Sequence, residues 1–445
     1  MMLRNLFCSP RALLTLIVAV TVGLVVPTQA QGQTYTVLHT FSGPDGARPA
    51  EGVTFDAAGN MYGVTSKGGT FNRGAVYELS PGGGGTWTET VLYSFGAKNR
   101  DGTTPTGGLV FDTAGNIYGT TQHGGAVNLG TVFQLSPGGG GTWVEKVLHN
   151  FGQGTDGALP MAGLSMDSAG NLFGTTNNGG TYQNCDVPAT SCGTVFELSP
   201  NGGGGWTYSV IHNFQGQTND GYFPKAAVTP DGLGNLYGTA SYGGPYAGGI
   251  VFKLVPSGNQ WKWKLVHPYG DPPGHLGAGQ LPPPGGPEGY YPYAGMVFDP
   301  AGNMWSTTVT GGAHNGTIVT FVPNGNGGWI QYHPAGLGFN GYGLYPVGNL
   351  TPDAAGNIYG TTLKGGSAGN GTIFVVKPVP KGWKQTVLYN FAGGTDGGYS
   401  DATLVADQDG NLYGTTWYGG DTGHCTTNQP IPGCGVVFKL SLPTK

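Results

Sequence analysis

The chain has 445 residues, of which 88 are glycine and only 9% are charged, and its formal net charge is −5. Five arginines and an acidic balance cannot supply the basic stripe that phosphate backbones require, so nucleic acid is excluded as a partner. Glycine this abundant without a period would mean disorder, but here it recurs in register and reads as turn chemistry.

At the N-terminus, Arg4 and Arg11 lead into an apolar run over residues 12–26, followed by Pro27-Thr28-Gln29-Ala30. This pattern predicts a signal peptide over 1–30. No later stretch approaches the roughly 20 apolar residues needed to cross a bilayer. Cys8 precedes the apolar run, which argues against a lipid-modified cysteine at the cleavage site. The expected mature chain, residues 31–445, is a single soluble domain of charge −7, secreted to the extracellular space or the periplasm, and a monomer.

From there one phrase returns seven times: Asp, two variable residues, Gly-Asn, an aliphatic, an aromatic, then usually Gly-Thr-Thr and a Gly-Gly pair. The copies are anchored at Asn60, Asn116, Asn171, Asn235, Asn303, Asn357 and Asn411, spaced by 56, 55, 64, 68, 54 and 54 residues. A unit of this size cannot bury a core alone and must stack on its neighbours. In the second copy, strands are expected at 108–112, 116–121, 130–135 and 143–151, joined by Gly, Pro and Asp turns. Four short antiparallel strands per unit make a propeller blade. The last copy ends on its third strand, and the missing fourth matches residues 35–41. The predicted fold is therefore all-β, a seven-bladed β-propeller with four antiparallel strands per blade, its ring closed by the N-terminal strand completing the last blade.

The run G-L-V-F-D-T-A-G-N-I-Y-G-T-T-x-x-G-G with G-T-V-F-x-L-S-P-G-G-G-G resembles the GloVer tandem-repeat family of secreted bacterial proteins over essentially all of the mature chain. Its D-x-x-G-N-[LI]-Y core is similar, more distantly, to NHL-type and streptogramin-lyase-type propeller repeats. The GloVer resemblance implies an exported repeat protein, often surface-anchored at its C-terminus, with no established reaction. This chain departs from that pattern in ending at Lys445 without a hydrophobic tail.

Cys185 with Cys192 and Cys425 with Cys434 are expected to form local cystines, each in the loop after the Gly-Gly pair of its copy. A four-cysteine metal site is the alternative, although no close C-x-x-C pair favours it. The aspartates at 56, 112, 167, 231, 299, 353 and 407 read as turn-formers. The aromatic residues that follow, from Tyr62 to Tyr413, read as core, and Trp87, Trp143, Trp206, Trp261, Trp329 and Trp383 as covers between blades. His39, Tyr93, His149, His212, His267 and Tyr389 read as packing residues of the fourth strand. A second acidic series, Asp45, Asp101, Asp156, Asp220 and Asp396 with Glu288 and Asn340 in the irregular copies, precedes Gly in the connections between blades. Turn geometry accounts for these Asp-Gly pairs and no cofactor is expected; were the loops instead to gather at the channel, the carboxylates would make a negative rim able to hold a calcium-type cation.

All length variation falls on the loops of one face, which also collects the unpatterned aromatics Tyr242, Tyr246, Tyr290, Tyr291, Tyr293, Trp417 and Tyr418. These are the expected binding residues, suited to an extracellular glycan or a surface protein. No nucleophile elbow, H-E-x-x-H or phosphate loop is present, and three remaining arginines are a poor supply for a sialidase. A non-catalytic binder is thus the first reading. The alternative is a polysaccharide lyase or glycoside hydrolase using His123, His314 and His424 with Glu288 or Asp421 as acid and base.

Overall fold

In each copy the Asp is the hub of the turn between the first two strands of a blade. Asp112 Oδ1 accepts from the Ala114 and Asn116 amides, both at 2.9 Å, while Oδ2 accepts from Asn116 Nδ2 at 2.7 Å and from the Tyr118 hydroxyl at 2.8 Å. In the fifth copy Trp305 Nε1 replaces the phenol, 2.9 Å from Asp299. Burial pushes the Asp112 carboxyl up, and the bonds from Asn116, Tyr118 and Ala114 outweigh it, holding the group below its ordinary value. Each carboxylate thus orders a turn without any ligand, and those at 56, 112, 299, 353 and 407 also anchor a buried ring. All seven rings, from Tyr62 to Tyr413, are buried.

These turns build seven four-stranded antiparallel blades in a computed structural model describing residues 32–183, 185, 191–216, 220–270, 289–311, 315–338, 341–426 and 430–443. The expected signal peptide lies outside the described residues. Blade 1 runs from inside out as Ala47–Phe55, Met61–Lys67, Ala75–Pro81 and Trp87–Ser94. Blade 7 combines Val405–Ala406, Leu412–Thr416 and Val436–Ser441 with Thr34–Thr40, the latter pairing Thr34 with Ser441 and Thr40 with Val436. The N-terminal strand therefore completes the last blade and covers the edge of Val436–Ser441. In blade 2 the innermost strand is split, with Gly102–Pro105 and Val110–Phe111 both pairing with Ile117–Gly124.

The repeat phrase also explains how blades join. The first Thr of Gly-Thr-Thr donates to the innermost strand of the next blade, as Thr120 does to the Ala162 carbonyl at 2.6 Å, Thr175 to Ala226 at 3.0 Å and Thr361 to Ala402 at 3.0 Å. The fourth-strand tryptophans pack on the core ring of the preceding blade: Trp206 on Tyr118 at 5.6 Å, Trp261 on Phe173 at 5.8 Å, Trp383 on Trp305 at 5.9 Å. Half-buried, they cover the seams between blades. Both cystines are local, Cys185–Cys192 and Cys425–Cys434. Such bonds fit an oxidising compartment.

One strained position recurs in every blade. Arg48, Thr104, Leu159, Phe223, Tyr291, Tyr345 and Tyr399 all take left-handed backbone conformations, with φ from 54° to 62°. Each stands eight residues before its turn Asp, and each donates its amide to a carbonyl of the preceding blade, such as Thr104 to Arg73 at 2.8 Å and Tyr399 to Asn370 at 2.8 Å. The inter-blade bond compensates a conformation that L-residues avoid. Thr104, being β-branched, suffers most. Thr104→Asn is expected to raise stability by about 1 kcal/mol, because Asn tolerates this region. Thermal melting checks this, and a lowered midpoint would show that the Thr methyl contributes more than the strain costs.

Candidate functional site

The innermost strands approach one another backbone to backbone around the axis, which is why small residues dominate there. A Cβ on Gly107 would lie 2.1 Å from the Gly163 nitrogen, and one on Gly52 would lie 2.4 Å from the Thr403 carbonyl oxygen. One residue earlier than this tight ring, six before each turn Asp, stand Ala50, Thr106, Met161, Lys225, Tyr293, Val347 and Asp401. All seven line one cavity of about 580 Å³ on the propeller axis. Its upper wall comes from the left-handed Arg48 and Thr104 and from the ends of second strands: Lys67, His123 and Trp417. Those second strands run on into the Gly-Gly loops, so the funnel opens on the face whose loops vary in length.

Two carboxyls stand at its neck. Glu51 occupies the position where the other blades have Gly107, Ala162, Ala226, Ala294, Gly348 and Ala402, and its side chain accepts from the Gly108 and Gly163 amides of blades 2 and 3. Asp401 reaches in from blade 7, where the Trp417 indole donates to it, and its Oδ1 is enclosed with no hydrogen-bond partner among the described residues. Burial pushes Glu51 to about 7 despite the two amides. It pushes Asp401 to about 7 as well, against the Trp417 bond and reinforced by the nearby Glu51 charge.

Three cations face the same space: Arg48, Lys67 and Lys225. Lys225 Nζ sits 3.5 Å from the centroid of the Tyr293 ring and 5.8 Å from that of Tyr242, and burial holds its ammonium below the ordinary value. The Arg48 guanidinium lies 5.2 Å over the Tyr418 ring. Among the described residues none of the three makes an ion pair with a carboxylate. Aromatic faces replace a counter-charge for Arg48 and Lys225, and Lys67 is exposed to water.

The acidic series in the inter-blade loops forms no rim at the channel. A bulge interrupts the outermost strand pair before each fourth-strand ring, between Val147 and His149 in blade 2 for example, and turns that ring toward its own loop. His39 meets Asp45 at 3.0 Å, Tyr93 meets Asp101 at 2.8 Å, His149 meets Asp156 at 2.9 Å, His212 meets Asp220 at 3.2 Å and Tyr389 meets Asp396 at 2.9 Å. Loop amides add to these bonds, as Gly96 and Ala97 do on Asp101 Oδ2, while Asp101 Oδ1 is buried with no hydrogen-bond partner among the described residues. These carboxylates are absorbed by their blades and line no part of the funnel. Glu288 and Asn340 lie outside the described residues.

Of the aromatics singled out from the sequence, Tyr293 and Trp417 line the cavity. Tyr242 lies behind Tyr293, their hydroxyls 3.1 Å apart, and Tyr291 lies 4.8 Å from Tyr242. Tyr290 and Tyr418 are 2% and 8% exposed, so they are not the exposed rings expected, and Tyr246 is part-buried outside the lining. Of the acid–base candidates, His123 is in the wall. His424 pairs with Asp421 at 2.7 Å in the exposed loop of the second cystine, and His314 and Glu288 lie outside the described residues. Glu51, Asp401, Arg48 and Lys225 went unnoticed in the sequence. For Lys225 and Asp401 the signal was the column six before the turn Asp, in which no two copies agree.

The Gloeobacter/Verrucomicrobia repeat matches residues 18–188 and 283–445. The chain belongs to this family. The stretch between the two matched regions carries blade 4, and with it Lys225. No curated protein matches the chain. Among solved structures, the extracellular domain of a B. thetaiotaomicron protein named as a hybrid two component system is similar, with a TM-score of 0.55 at 10% identity, covering 93% of this chain and 40% of that one. A Bacteroides uniformis protein named as a 6-phosphogluconolactonase is similar with a TM-score of 0.51 at 11% identity, covering 88% and 100%. At such identities the likeness concerns the propeller alone.

Proposed function

We propose that this repeat-family propeller is an exported, non-catalytic binder that takes part of an extracellular glycan into its axial funnel. The observation carrying this reading is the cavity of about 580 Å³ lined by Trp417, Tyr293 and a set of polar and charged side chains, a size and composition suited to one or two sugar rings. Aromatic faces stack on the C–H faces of sugars while side chains such as Thr106, Gln122 and Asn349 meet hydroxyls. Export is supported by the two cystines, by the predicted signal peptide and by the family. No helix among the described residues is long and apolar enough to cross a membrane.

A second reading, a lyase or hydrolase, draws support from one observation: two neighbouring carboxyls raised to about 7 at the foot of the funnel. Against it, Glu51 is occupied by two backbone amides and Asp401 by the Trp417 indole. A glycan-array screen with product analysis on the hits separates the two, since a binder leaves chain length unchanged. Trp417→Ala and Tyr293→Ala are each expected to weaken glycan binding by about 2 kcal/mol. Trp206→Ala is expected instead to lower the melting temperature and spare binding, because its ring is spent between blades. The reverse pattern in paired titrations and melts would place the binding surface elsewhere.

A further inference from the structure

Arg48, Lys67 and Lys225 are scarce charges in this chain, which has 18 lysines and arginines against 23 aspartates and glutamates. Three of them nevertheless face one cavity, and no carboxylate among the described residues pairs with any of them. Lys225 is the most telling, because a part-buried ammonium held only against Tyr293 and Tyr242 has lost water without gaining a counter-ion. Such a charge is satisfied by an anion that enters the funnel. The remaining wall, with Trp417, Tyr293, Met161, Val347 and Leu363, is too apolar and too large for a bare inorganic ion.

We propose that the funnel binds a carboxylate-bearing sugar, a uronate unit, with its carboxylate among Arg48, Lys67 and Lys225 and its ring against Trp417 and Tyr293. This rests on the glycan reading above and names the class of glycan. The lysines and the arginine supply charge-assisted hydrogen bonds to the carboxylate. Glu51, on the innermost strand of blade 1, and Asp401, four residues before that of blade 7, face the same space as His123 on blade 2 and the three cations. When protonated, the two carboxyls are neutral and Asp401 has a hydroxyl to donate; when ionised, they repel the ligand. Since both hold their protons up to about 7, uronate affinity falls as the pH rises through that value, while the free sugar acid stays ionised throughout.

The test uses the chain from residue 31 onward and calorimetric titration with trimers of galacturonate, glucuronate and mannuronate, their methyl esters, and inorganic phosphate. One acidic trimer is expected to bind at pH 6, at least about tenfold more tightly than its ester, and to weaken several-fold by pH 8.5. Lys225→Met and Arg48→Gln are each expected to lose about tenfold for the acid and nothing for the ester. Lys225→Arg should retain binding. Lys225→Met removes a part-buried unpaired charge, so its melting temperature is not expected to fall, which separates lost binding from lost folding. Equal binding of acid and ester would overturn the uronate assignment and leave the glycan reading standing. Tight phosphate binding that competes with the trimer would mark a simple anion site and overturn the assignment. Absence of binding by every trimer and ester would also overturn it, and hits on a neutral-glycan array would then show whether the broader reading survives.

Discussion

Deleting residues 31–42 is expected to destabilise the propeller by more than about 5 kcal/mol, or to abolish cooperative folding, although the segment lies far from the funnel. The strand Thr34–Thr40 supplies the whole outer ladder of blade 7. Phe41, fully buried, follows it, with its ring 5.1 Å from Tyr77 of blade 1. Tyr35 stacks on Tyr389 of blade 6 at 4.1 Å and donates its hydroxyl to the Asp396 carbonyl at 2.6 Å. One strand thus ties three blades together, and its loss exposes the edge of Val436–Ser441 to solvent and to other chains. Phe41→Ala alone is expected to cost about 3–5 kcal/mol. Urea unfolding measures both, and a synthetic peptide of residues 31–42 added to the truncated chain should restore part of the loss by strand addition. An unchanged unfolding midpoint after deletion would show that the segment contributes nothing to closure.

The second large effect concerns the neck of the funnel. Glu51 and Asp401 hold their protons to about 7 in the folded chain but release them near ordinary carboxyl values when unfolded. Between those values the folded state binds more protons than the unfolded one, so the contribution of these groups is fully present at low pH and is lost as the pH rises to about 7. Turn carboxyls such as Asp56, Asp112, Asp353 and Asp407 act oppositely: their burial is outweighed by hydrogen bonds, their values are lowered, and their contribution is lost on acidification. Stability should therefore peak in mildly acidic solution. Glu51→Gln and Asp401→Asn are each expected to add about 2–3 kcal/mol at pH 8 and almost nothing at pH 4, with less than additive gains in the double variant because the two charges interact. The Glu51→Gln change keeps a side-chain oxygen that accepts from the Gly108 amide. Melting curves across pH 4–9 test this, and a variant less stable than the parent at pH 8 would show that the ionised carboxyl has a compensating partner.

What was legible in the chain follows from where each interaction is made. The turn around Asp112, Asn116 and Tyr118 is complete within seven residues, so its Asp, Gly, Asn and aromatic ring recur seven times and announce each blade. The period, the core rings, the cystine pairs and the closing strand all followed from such short-range patterns, since a unit that cannot bury its own faces must stack and a missing strand must be supplied. The acidic loop series was legible only as turn chemistry, because its partner in the fold is a ring six to eight residues away, turned toward it by a bulge that strict alternation conceals. The funnel was hidden for the opposite reason. Ala50, Thr106, Met161, Lys225, Tyr293, Val347 and Asp401 lie tens of residues apart and become neighbours only where seven blades converge on one axis. Glu51 and Asp401 acquire their raised proton affinity from atoms of other blades, which no local window contains. The repeated residues determined the ring; convergence at its axis decided which unrepeated residues share a site.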